Sequence, residues 1–160
     1  TPKGTICNNL GCTIDLLPTF AAITNGKLSK NKIDGVDITS LFKGDFSTSP
    51  RESILYYFGN NNLNAVRKDN WKLVFPHTWK SYETKSGKDG RNGPKINKSI
   101  KTAQLFDMSR DPGERYDVIE EHPEIVKEIM AIAEKARKEL GDRNVGINQG
   151  TEMRPIGTIK

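Results

Sequence analysis

The chain has 160 residues, of which 34% are hydrophobic and 28% charged, with a formal net charge of +5. That is enough polypeptide for one domain, or one domain with extensions, to bury a real core. No apolar run approaches the ~20 residues that span a bilayer. The two cysteines, Cys7 and Cys12, make neither a disulfide framework nor the spacing of a redox or zinc motif, and buried thiols are the expectation for both. Two histidines without His-x-x-x-His spacing argue against a self-contained transition-metal site. The start, Thr1-Pro2-Lys3-Gly4, has no initiator Met and no signal peptide, so a processed form or a piece of something longer is expected, the piece being favoured.

The first predicted element is a short helix near 18–25. In Ile14-Asp15-Leu16-Leu17-Pro18-Thr19-Phe20-Ala21-Ala22-Ile23, Pro18 fits a first helical turn, where its missing amide hydrogen costs nothing, and Gly26 follows the end. A polar loop runs from Lys27 to Lys32. The stretch from Asp34-Gly35-Val36-Asp37 to Leu41-Phe42-Lys43-Gly44 reads as a turn leading to a short apolar anchor that closes at a glycine. Asp34 and Asp37 are read as turn formers, not metal ligands. Ser47-Thr48-Ser49-Pro50-Arg51 reads as a boundary.

Ile54-Leu55-Tyr56-Tyr57-Phe58 is a continuous apolar run and predicts an inner strand. Gly59-Asn60-Asn61-Asn62 turns into a hairpin whose arms, Ala65-Val66-Arg67 and Trp71-Lys72-Leu73-Val74-Phe75, carry β-branched and aromatic residues around the polar turn Lys68-Asp69-Asn70. Pro76 has no amide hydrogen to give a ladder, so the second arm is expected to end there and leave His77 and Trp79 at the mouth of whatever the sheet borders. Residues 80–103 read as a long glycine-punctuated loop, and Gln104-Leu105-Phe106-Asp107-Met108 supplies a fourth strand. Asp111-Pro112-Gly113-Glu114 combines a turn-starting carboxylate, a φ-fixed proline and a permissive glycine, and is read as a reversal without chemistry.

Beyond His122-Pro123 the pattern takes helical period. Ile125, Ile129, Ile132, Ala133, Ala136 and Leu140 fall on one stripe, with Pro123 at the first position and Gly141 past the end. The expected fold class is α+β: a four-stranded antiparallel sheet, about 53–108, packed by a long C-terminal helix, about 123–140. An extended tail, 141–160, is expected to wrap the surface, pinned by Arg154-Pro155-Ile156-Gly157.

The excess charge is local. Between residues 80 and 103, seven cations stand against Glu83 and Asp89, which accounts for the whole net charge of +5. Nucleic acid is nevertheless disfavoured as a partner, because apart from Tyr82 no aromatics are interleaved with the basic residues and no recognition motif appears.

Taken in order, Ile14-Asp15-Leu16-Leu17-Pro18-Thr19, Asp34-Gly35-Val36-Asp37-Ile38, Pro50-Arg51-Glu52, Ala65-Val66-Arg67 with Trp71-Lys72-Leu73, Leu105 to Glu114, His122-Pro123-Glu124, Leu140-Gly141-Asp142 and Arg154-Pro155-Ile156-Gly157 resemble the C-terminal third of arylsulfatase A-type, formylglycine-dependent sulfatases. The resemblance implies a two-part enzyme. Residues 1–48 would be the tail end of a large catalytic α/β domain of alkaline-phosphatase type, and 49–160 the C-terminal sulfatase subdomain. In this family a cysteine or serine in a Cys/Ser-x-Pro/Ala-x-Arg signature becomes formylglycine, whose hydrate attacks sulfur, while calcium held by carboxylates neutralises the sulfate. Neither Cys7 nor Cys12 fits that signature. No catalytic residue and no metal ligand is therefore assigned here; the formylglycine and the calcium ligands are expected upstream, and this chain alone is expected not to hydrolyse sulfate esters.

The resemblance also implies that the small subdomain borders the substrate pocket. His77 is assigned as the leading substrate contact, with Trp79, Lys80, Tyr82 and Arg91 beside it, since a flat aromatic stacks on a sugar ring and a cation pairs with an anionic group. Spacing alone leaves open a His77 that only bonds a strand-end carbonyl. The implied partners are a sulfated small molecule or glycan, aryl or carbohydrate, and the chain's own N-terminal catalytic domain, in a periplasmic or secreted protein, or a lysosomal one in an animal. One alternative is a non-catalytic module that grips a sulfated glycan or another polyanion through the basic loop 80–103. Another is a subdomain that only caps its catalytic neighbour.

Overall fold

The computed structural model describes residues 2–82 and 88–152, and the chain divides into two compact units, Thr1–Ile54 and Leu55–Lys160. In the first unit a 3-10 turn, Thr13–Asp15, runs directly into helix α1, Leu16–Thr24, which stops at Asn25 in the left-handed conformation. Pro18 lies in the first turn, as its chemistry requires. The apolar anchor is a single helical turn, α2, Thr39–Phe42, and Ile38 and Leu41 are buried, as is Leu10. Two hydrogen bonds tie the pieces together: Thr19 Oγ1 donates to the Asp15 carbonyl at 2.6 Å and accepts the Ile38 amide at 3.0 Å. Gly35 passes so close to the 3-10 turn that a Cβ there would lie 2.1 Å from the Ile14 carbonyl oxygen. The cysteines are not buried thiols: both are free, Cys7 exposed and Cys12 partly so.

The second unit is built on a four-stranded antiparallel sheet in the order β1-β2-β3-β6, formed by β1, Ser53–Phe58, β2, Asn62–Lys68, β3, Trp71–Val74, and β6, Gln104–Asp107. The predicted hairpin is β2–β3, closed by Asp69 and Asn70 with Asp69 at φ 50°. The expected inner strand at 54–58 is in fact an edge strand. Its apolar residues do not all face the core: Leu55 and Tyr57 pack inward, whereas Tyr56 and Phe58 are exposed.

The loop expected at 80–103 is also corrected. His77 opens a strand, β4, His77–Ser81, which pairs with β5, Ile96–Ile100, in a separate two-stranded antiparallel sheet. Its lysines, asparagine and serines lack β-propensity, but Ile96 and Ile100 alternate across polar residues, and cross-strand pairing supplies what composition does not.

Helix α3, Pro123–Leu140, covers one face of the four-stranded sheet. On that face Val66 is opposite Leu73 and Leu73 is opposite Leu105, all fully buried, and Ile129, Ala133 and Ala136 of α3 pack onto them. Ala65, Val74 and Phe106 form a smaller core with Ile100 of β5 and Met108.

The stretch after α3 is not simply extended. Asp142 caps a 3-10 turn, Arg143–Val145, and bridges to Ile147, while its buried carboxylate accepts the Leu63 amide at 3.1 Å, the Asn144 amide at 3.0 Å and Arg137 Nε at 3.0 Å. Tyr57 donates to the Gly141 carbonyl at 2.8 Å. The expected pin at Arg154-Pro155-Ile156-Gly157 lies outside the described residues.

Candidate functional site

Where Phe75 ends the hairpin core, Pro76 interrupts the ladder and the chain re-enters strand geometry at His77. Residues two apart on a strand share a face, so His77 and Trp79 point the same way, with ring centroids 5.4 Å apart and planes inclined by 38°. Both line a cleft of about 280 Å³ together with Tyr56 of β1, Lys72 and Val74 of β3, and Glu114. His77 Nδ1 is 2.7 Å from the Phe75 carbonyl oxygen. A carbonyl only accepts, so Nδ1 carries a hydrogen in this contact, and Nε2 is the ring nitrogen the contact does not use.

The floor of the cleft is charged but balanced. Lys72 Nζ donates to Glu114 Oε1 at 2.6 Å and lies 4.9 Å from the centroid of the Tyr56 ring. Glu114 is delivered by the reversal Asp111-Pro112-Gly113, and its own backbone is left-handed, φ 54°. The Asp111 carboxylate holds that reversal by accepting the amides of Arg115 at 2.6 Å and Tyr116 at 2.9 Å.

Of the residues assigned from sequence, His77 and Trp79 come together in this cleft. Lys80 is exposed and alternates to the other face of β4. Tyr82 is exposed just past that strand, with Lys95 Nζ 5.4 Å from its ring centroid, and Arg91 is exposed after the turn Lys88–Gly90; none of these three lines the cleft. Lys85 of the basic stretch lies outside the described residues. Tyr56, Lys72 and Glu114 were not singled out: Lys72 and Tyr56 sit inside runs that read as core, and Glu114 inside a turn motif.

Among the described residues no three His, Cys, Asp or Glu side chains converge. The fully buried carboxylates are already engaged, Asp15 by Arg51 and Asp142 by Arg137.

The fold is similar to that of a crystallised sulfatase from Pseudoalteromonas sp., at 19% identity over 77% of this chain and 25% of that one, with a TM-score of 0.52. Residues 49–157 match the family described as the C-terminal region of aryl-sulfatase, and the chain belongs to that family. It is 27% identical over 129 residues to arylsulfatase A of Bos taurus, covering 78% of this chain and 25% of that protein. It is 31% identical over 145 residues to steryl-sulfatase of Mus musculus, covering 79% and 22%, and 30% identical over 127 residues to N-acetylgalactosamine-6-O-sulfatase of Bacteroides thetaiotaomicron, covering 78% and 23%. The chain thus spans about a quarter of the length of these relatives.

Proposed function

We propose that this chain is the C-terminal part of a formylglycine-dependent sulfatase hydrolysing sulfate esters of a carbohydrate or aryl substrate, and that it lends substrate-side contacts and scaffold but not the nucleophile. The observation that carries the reading is the cleft that joins His77 and Trp79 on the sheet of the family-matching region. In it His77 Nε2 accepts a hydroxyl of the leaving group, and Trp79 offers a flat apolar face. The formylglycine and the calcium ligands belong to the upstream part of the polypeptide; bound calcium would supply charge neutralisation at the sulfate.

Residues 1–48 belong, on this reading, to the end of the large domain and 49–160 to the smaller subdomain. The apolar face of α1 supports this: Leu17, Phe20 and Ile23 are each more than half exposed, as expected of a helix made to pack on something. The names of the relatives favour a sulfated small molecule or glycan as substrate. Among the described residues no helix is long and apolar enough to cross a membrane, and a periplasmic, secreted or lysosomal setting is proposed.

The test is His77→Ala in the full-length polypeptide. We expect kcat/KM on the preferred substrate to fall about tenfold or more, the loss of one good hydrogen bond, with formylglycine content by mass spectrometry and calcium content unchanged. Unaltered kinetics would remove His77 from the site. The isolated chain should show no sulfatase activity; measurable turnover would overturn the placing of the catalytic centre.

A further inference from the structure

Lys72 is held more tightly than a surface cation. Its side chain is 17% exposed, lies on the Tyr56 ring and is paired with Glu114, so the positive charge of the cleft is matched inside the cleft. An anionic ligand taking Lys72 would leave the Glu114 carboxylate facing a like charge, on a backbone that the Asp111 reversal holds beside the cleft. A neutral ligand meets no such conflict. An ammonium and a carboxylate 2.6 Å apart offer donors and acceptors spaced for adjacent hydroxyls, and Trp79 offers a face for the C–H side of a ring.

We propose that the cleft binds an uncharged sugar ring through a vicinal diol held by Lys72 and Glu114 with Trp79 as the stacking face. The substrate class is then a glycan in which a neutral sugar adjoins the sulfated one, not a simple aryl sulfate and not a ring bearing a second anion. This rests on the sulfatase reading above and adds the chemistry of the leaving group.

The experiment is saturation-transfer NMR on the full-length polypeptide with lactose, cellobiose and glucuronic acid as probes, with the unaltered protein, Glu114→Gln and Trp79→Ala compared. We expect lactose or cellobiose to bind through its ring protons more tightly than glucuronic acid. Glu114→Gln should weaken the neutral sugar about tenfold, a charge-assisted hydrogen bond, while strengthening glucuronic acid; Trp79→Ala should weaken the neutral sugar independently. Failure of both neutral sugars to bind, tighter binding of glucuronic acid by the unaltered protein, or no response to either substitution overturns the proposal. Release of sulfate from a panel of sulfated disaccharides and aryl sulfates by the unaltered protein is followed in parallel. Its absence counts against the sulfatase reading, whereas its presence with no neutral-sugar binding counts against the diol site alone.

Discussion

Arg51 closes on a fully buried carboxylate: its Nε donates to Asp15 Oδ2 at 2.7 Å, its Nη2 donates to Asp15 Oδ1, and the same Nη2 reaches the Asp34 carbonyl at 3.0 Å. Asp15 also accepts the amides of Cys12 at 2.8 Å and Val36 at 2.9 Å. One side chain thus ties the start of α1, the Gly35 turn and the boundary segment together.

Burial alone would push the Asp15 carboxyl up, but the hydrogen bonds from Arg51, Val36 and Cys12 outweigh it and hold the group below its ordinary value of 3.8. A depressed carboxylate stabilises the fold above its unfolded pKa, and that stability is lost as pH falls through the folded value. Asp15→Asn should therefore cost about 3 kcal/mol at neutral pH, because Arg51, whose side chain is only 11% exposed, loses its carboxylate partner. It should also flatten the acid limb of the stability curve. Urea denaturation against pH checks both.

The second buried carboxylate predicts a comparable loss in the other unit. Asp142→Ala strands the Leu63 amide and leaves Arg137, which also lies 4.8 Å from the centroid of the Phe75 ring, with only Glu134. We expect about 3–5 kcal/mol of destabilisation in denaturant titrations, together with faster amide exchange at Leu63.

Tyr57 gives a signature at the alkaline end. Burial, reinforced by the negative charge of Asp142, pushes its hydroxyl up from 10.0 to about 12. A raised pKa means stability that is complete below pH 10 and lost as pH climbs towards 12. One tyrosine should accordingly ionise late in a tyrosinate absorbance titration, and Tyr57→Phe should abolish that late step while costing about 1 kcal/mol for its bond to Gly141.

Gly35→Ala tests the close approach to the 3-10 turn before α1. The added methyl would collide with the backbone of Ile14, which cannot move without disturbing the Asp15 site. A loss of about 1–3 kcal/mol, the usual cost of overpacking, is expected in thermal or urea unfolding.

Much of the fold was legible because burial writes a period into the chain. Ile129, Ala133 and Ala136 repeat at helical spacing between Pro123 and Gly141, and α3 lies where that pattern places it. Val66, Leu73 and Leu105 have strand composition and form the sheet core. Tyr56 and Phe58 show the limit of this reading: an apolar run declares a strand but not whether another strand lies beyond it, and here none does among the described residues. β4 and β5 escaped notice because their polar residues carry little propensity until they pair.

The sequence by itself determined the α+β class, the hairpin and the long helix, since all of these follow from local period and from what proline and glycine allow. Only the tertiary structure decided that Tyr56, Lys72 and Glu114 meet the rings of His77 and Trp79. Their meeting depends on strand order, register and the sense of the Asp111 reversal, which are long-range choices; a local pattern records how buried a residue is, not which distant residue it is buried against.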